Sequence, residues 1–206
     1  MMFKKTFISG MMAMALAACS QADAGTEQAK AFSQLDHEQA VLQGHQWYKN
    51  EEGIVVRVLP NKVTATFANG EEADVAIPED QFFLSIAPWM TYTHPCGNHV
   101  PTGCTGELIG EEMHMSAVDV ETGEEILNQM VTTQHDGFID FWVPRNRKLE
   151  FTFHHGDANG VWREAKEVLT TDDDSRTCIT TMQLLAMNES AHEGQGKHHS
   201  GHHGHH

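Results

Sequence analysis

From Ile54 to Leu169 the chain is a succession of short, alternating segments rich in β-branched residues and cut by turn residues, a period that favours antiparallel sheet over helix. Ile54-Val55-Val56-Arg57-Val58-Leu59 and Val63-Thr64-Ala65-Thr66-Phe67 flank Pro60-Asn61-Lys62, and Asn69-Gly70 supplies the next turn before a third strand at Asp74-Val75-Ala76-Ile77. After Pro78-Glu79-Asp80 comes the apolar run Phe82 to Ala87, expected to lie between two halves of the fold. Further strands are expected at Glu107 to Ile109, Met113 to Val120, Glu125 to Thr132, Phe138 to Val143, Lys148 to Phe153 and Val161 to Leu169. Short strands at this spacing predict a sandwich. The expected class is therefore mostly β / α+β, a small N-terminal α+β unit over residues 35–90 followed by a C-terminal antiparallel β-sandwich over 91–185.

The only helical period inside that frame runs from Phe32 to Trp47, where Asp36 stands ready to cap a short helix ahead of His37-Glu38-Gln39. Residues 19–34 are mostly Ala, Gln, Thr, Glu and Ser with little to bury, so they read as a flexible tether. Ahead of them, Lys4 and Lys5 precede the apolar stretch Phe7 to Ala15, which is too short to span a bilayer and reads as an export signal over residues 1–18. It ends in Leu16-Ala17-Ala18-Cys19, similar to the lipobox of bacterial lipoproteins, with Cys19 as the acylated residue. Ser20 in place of Asp after that cysteine favours the outer membrane. The expectation is a periplasmic domain whose contact with the membrane is a lipid anchor alone.

A formal net charge of −16, with 13 basic residues that form no run, argues against nucleic acid as a partner. With Cys19 given to lipid, Cys96, Cys104 and Cys178 remain, and an odd set in an oxidising compartment cannot all pair within one chain. One reading is a structural disulfide plus a thiol. Another is a metal site, because His94-Pro95-Cys96-Gly97-Asn98-His99-Val100-Pro101-Thr102-Gly103-Cys104 is a loop whose prolines and glycines can converge several ligands. Three thiolates suit Cu(I), which does not demand the tetrahedral fourth ligand of Zn(II), and His94, His99 or Met182 offer a further donor. Zinc on Cys96, Cys104, Cys178 and His99 is the alternative, although Cys-x₇-Cys is not a zinc-knuckle spacing. With no Cys-x-x-Cys, a thioredoxin-like role has no motif to support it.

Four motifs in order extend this reading. His94-Pro95-Cys96 with His99, Thr102-Gly103-Cys104-Thr105-Gly106-Glu107-Leu108, Phe138 to Arg145 and Thr177 to Leu184 together resemble the CueP family of periplasmic copper-binding proteins, with upstream likeness through Phe83 to Pro88. The resemblance covers roughly residues 54–185. It implies a two-part fold, Cu(I) on Cys96, Cys104 and Cys178, and a part in copper tolerance and in copper supply to a periplasmic Cu,Zn superoxide dismutase. The lipobox and the tail beyond Leu185 depart from the family pattern.

That tail, residues 186–206, is expected to be disordered and carries seven histidines from His192 onward. His198, His199, His202, His203, His205 and His206 form three doublets that can capture Cu(II) while their imidazoles are neutral. His37, His45, His114, His135, His154 and His155 read as surface or strand residues, Met113, Met115 and Met130 as core or surface filler, and Trp89, Trp142 and Trp162 as core. The expected function is a copper carrier that sequesters Cu(I), with stoichiometric reduction of Cu(II) followed by recovery through a thiol reductant. A thiol-disulfide or cupric-reductase enzyme and a disulfide-stapled partner-binding module remain the rival readings, and a homodimer is open.

Overall fold

The computed structural model describes residues 25–156 and 159–187. The chain forms two compact units. Of the described residues, one holds those up to Glu79 together with Asn98–Cys104, and the other holds Asp80–Gly97 and those from Thr105 onward. The change of unit thus falls at Glu79, earlier than the 90/91 boundary expected from sequence, and the chain returns to the first unit for seven residues.

In the first unit, helix α1 spans residues 25–32 and α2 spans His37–Gln46. Three strands follow, β1 Val55–Val58, β2 Lys62–Thr66 and β3 Glu72–Ala76, paired antiparallel in the order β1-β2-β3. Alternation does what the pattern requires, burying Val56, Val58, Val63, Ala65, Ala73 and Val75 on one face. A reciprocal capping box opens α2: Asp36 Oδ1 accepts from the Gln39 amide at 2.8 Å and Gln39 Oε1 accepts from the Asp36 amide at 3.2 Å. Residues 25–32 correct the tether expectation, because they are helical and bury Ala29 and Phe32. The cause is an aromatic trio. Phe32 stacks on Trp47 at 6.0 Å between centroids, and Phe67 meets both rings edge-on.

The second unit contains β4 Gln81–Ile86, β5 Glu112–Asp119, β6 Glu125–Thr132, β7 Ile139–Pro144, β8 Lys148–Gly156, β9 Trp162–Thr170, β10 Cys178–Ile179 and β11 Leu185–Ala186. They make a three-stranded sheet, β10-β4-β7, and a five-stranded antiparallel sheet, β11-β9-β8-β5-β6. Phe82, Leu84, Ile86 and Phe141 from the first sheet share one core with Met113, Met115, Leu149, Phe151 and Phe153 from the second. The protein is therefore mostly β, with a sandwich core, as its sequence period predicts.

Four local expectations change. The run at 82–87 forms most of the central strand β4 of the small sheet, flanked on both sides, which explains its continuous apolarity; it is not a connector between halves. Residues 107–109 are not a strand. β10 pairs with β4 in parallel, so the sandwich is not wholly antiparallel. Trp162 is 61% exposed and contributes nothing to the core. Between β4 and β5, Gly106 lies against Gly137, where an added Cβ would come within 2.6 Å of the Gly137 carbonyl oxygen. Gly137 itself has φ +81°, so neither position tolerates a side chain.

Candidate metal centre

Cys96 and Cys178 form a disulfide within the second unit, with Cα atoms 5.6 Å apart across a sequence separation of 82. The strand pairing explains the convergence. Ser85 and Ala87 on β4 and just beyond it donate their amides to the carbonyls of Thr177 and Ile179, which fixes Cys178 as a fully buried residue in the small sheet. Residues 93–97 are then stitched to the same strand. Thr93 Oγ1 donates to the Thr180 carbonyl at 2.8 Å, Thr180 Oγ1 donates to the His94 carbonyl at 2.7 Å, and the Cys178 amide donates to Gly97 at 3.2 Å. Upstream, Glu107 clamps the approach to this segment. Its carboxylate accepts from the Met90 amide at 2.6 Å, from the Thr91 amide at 2.9 Å and from the Thr91 hydroxyl. Partial burial opposes ionisation of Glu107, yet the Thr91 hydroxyl and the amides of Thr91, Met90 and Tyr92 outweigh it and hold the carboxyl below its usual range.

In the first unit the loop Asn98–Cys104 carries His99 and the thiol of Cys104, which stays outside the disulfide and is half-buried. A tight turn sets Cys104, since the amides of Gly103 and Cys104 both donate to the Val100 carbonyl, at 2.9 and 2.8 Å. The loop is docked on its own unit by three contacts. The Val58 amide donates to the His99 carbonyl at 2.8 Å, the Lys49 amide donates to the Thr102 carbonyl at 2.9 Å, and the Val56 amide donates to Thr102 Oγ1 at 3.2 Å. Pro101 fills the space over Gly44 of α2, where even a Cβ would lie 3.0 Å from the proline ring. His99 is fully buried, its ring centroid 5.9 Å from that of His45 on α2.

Of the residues expected at the site, the structure bonds Cys96 to Cys178 and sets His94 beside them, while Cys104 and His99 belong to the loop of the first unit. Met182 is 2% exposed and packs in the sandwich core with Leu184 and Ile179. His45, on α2, is buried, contrary to a surface or strand placement, whereas His155 is a strand residue of β8 as expected, with its side chain buried. Cys19 and His198, His199, His202, His203, His205 and His206 lie outside the described residues. The brace at Glu107 was not readable as such, because its partners lie 16 and 17 positions away in an irregular segment.

The chain is thus a β-rich protein of two units, with a long-range disulfide in one and a cysteine thiol on a docked loop of the other. The profile of the family described as "Periplasmic copper-binding protein CueP" matches residues 40–183, and the chain belongs to that family. It is thus a periplasmic copper-binding protein. A solved structure described as "Crystal Structure of S.CueP" shares the fold at a TM-score of 0.63 and 24% identity, covering 85% of this chain and 100% of that one. No curated protein matches.

Proposed function

We propose that the protein sequesters Cu(I) on Cys96, Cys104 and Cys178 and passes it to a periplasmic cuproenzyme, a Cu,Zn superoxide dismutase being one recipient. The Cys96–Cys178 disulfide carries this reading, for it brings together two cysteines 82 residues apart while Cys104 is kept as a thiol. The disulfide is the resting oxidised form. A thiol reductant supplies two electrons and two protons, the S–S bond breaks, and three sulfurs become available as thiolates for a soft monovalent ion. In reverse, two Cu(II) ions each take one electron, Cys96 and Cys178 lose two protons and rejoin, and two Cu(I) ions result. Without a reductant this step is stoichiometric, which makes the protein a carrier and not a turnover enzyme.

His94 and His99 are proposed secondary donors, zinc the competing metal. An acylated Cys19 following a cleaved signal peptide would hold the carrier at the periplasmic face of the outer membrane, and the tail histidines would collect copper for it. The deciding test is anaerobic competition with a chromophoric Cu(I) chelator on the reduced full chain beside Cys178→Ser. The variant is expected to hold one tightly bound Cu(I) fewer than the parent, the histidine tail being the same in both. Equal binding by the two proteins overturns the cysteine assignment.

A further inference from the structure

The outward face of the five-stranded sheet holds a second set of metal donors that the cysteines do not involve. Pairing places Met130 of β6 opposite His114 of β5, His114 opposite His154 of β8, and His154 opposite Glu164 of β9. These four residues form one row across four strands, on the solvent side of the alternation that buries Met113, Met115 and Phe153. Directly opposed side chains in antiparallel strands have Cβ atoms about 4.5–5.5 Å apart, a spacing that lets two imidazoles bracket one ion. The rings of His114 and His154 are 6.2 Å apart between centroids and tilted by 36°. Bonds of about 2 Å from a metal to one nitrogen of each ring fit within that separation once the nitrogens turn inward.

Hydrogen bonding prepares the rings for this. His114 Nε2 is 2.8 Å from Asn128 Oδ1, and Asn128 Nδ2 donates to Glu125, which fixes the amide with its oxygen towards the histidine. His154 Nε2 is 2.9 Å from Glu164 Oε2. Both partners accept, so in each neutral ring the proton sits on Nε2 and the lone pair is on Nδ1. An imidazole that gives one N–H to an oxygen and keeps the other nitrogen for a metal is the arrangement found around metal-bound histidines. Met130, 56% exposed, puts an unburied thioether beside His114. Together with Trp162, Met130, His114 and His154 border a shallow pocket of about 390 Å³.

We infer that His114, His154 and Met130 form a second copper site on this sheet face, an N₂S set for Cu(I) in which Asn128 and Glu164 orient the histidines. Two neutral imidazoles and a thioether favour copper over the harder cations. The test is an anaerobic Cu(I) titration of the reduced, ¹⁵N-labelled full chain, reading the ring resonances of His114 and His154, each assigned through its alanine variant. Both resonances shift together, and Trp162 emission changes in step, a response lost in Trp162→Phe. Glu164→Gln, which leaves all three donors in place, weakens the response by about 10–100-fold.

The triple variant Cys96→Ser/Cys104→Ser/Cys178→Ser separates this site from the cysteine site. The same ring shifts are expected in it, whether or not the cysteine assignment holds. Rings that stay unmoved through saturation of the parent chain overturn the proposal, as do shifts that disappear with the cysteines or an unchanged response in Glu164→Gln.

Discussion

Residues 93–97 and 98–104 are consecutive in the chain yet are held by different means. The first segment is fastened to the sandwich by a covalent bond between Cys96 and Cys178, with hydrogen bonds to Thr180 and from the Cys178 amide around it. The second rests on the α+β unit through backbone hydrogen bonds from Val58 and Lys49 and the fit of Pro101 over Gly44. One hold depends on redox state and the other does not. A reductant therefore loosens Cys96 and Cys178 while the placement of Cys104 by its own turn stays as it was.

The largest separation of the two segments is expected from Cys96→Ser, which removes the disulfide and lowers stability by about 2–4 kcal/mol in oxidised protein. Denaturant unfolding checks it: the reduced parent should approach the variant, and a variant as stable as the oxidised parent would mean that the disulfide adds nothing. Gly44→Val acts on the other segment, forcing a branched side chain into contact with Pro101 and Val56 at a cost of about 2 kcal/mol. Amide exchange should rise at Gly103 and Cys104 and stay unchanged at Cys178.

Glu107→Gln tests the clamp upstream of Cys96 and is expected to cost about 1 kcal/mol. Its pH dependence has a definite sign. A carboxyl held below its usual range in the fold stabilises above its unfolded value of about 4.3, and that contribution disappears as pH falls through the lower folded value. The gap between parent and Glu107→Gln should accordingly be full at about pH 6, begin to shrink as pH falls past the unfolded value and close only below the lower folded one, read from thermal melts. Asp36→Ala is the smallest change, about 1 kcal/mol or less from loss of the α2 cap. It should lower the stability of the first unit without altering exchange at residues 93–97.

Most of the strand plan was legible because two-residue alternation records which face is buried, as β2, β5 and β8 illustrate with strict inside-outside patterns. α2 was legible from its cap. What alternation lacks is register. It places His114, Met130 and His154 on exposed faces of three strands but says nothing of their being neighbours, and so they read as isolated surface residues. α1 was missed for a related reason: its buried apolar side chains are only two, Ala29 and Phe32, and only the rings of Trp47 and Phe67 make their burial worthwhile. The cysteine loop announced itself through composition, whereas the pairing of Cys96 with Cys178 depends on the parallel contact of β10 with β4, a two-residue strand too short to signal itself.

The contact between Gly106 and Gly137 bears on how a survey of variants would read. Position 106 follows Cys104 by two residues, and every side chain there meets the Gly137 backbone. A library screened for copper tolerance would lose nearly all substitutions at 106, and so would one screened only for soluble protein. If Cys104 holds copper as proposed, position 104 should behave oppositely, lost from the first screen and retained in the second. Comparing the two screens at these neighbouring positions distinguishes residues that build the scaffold from residues that handle the metal.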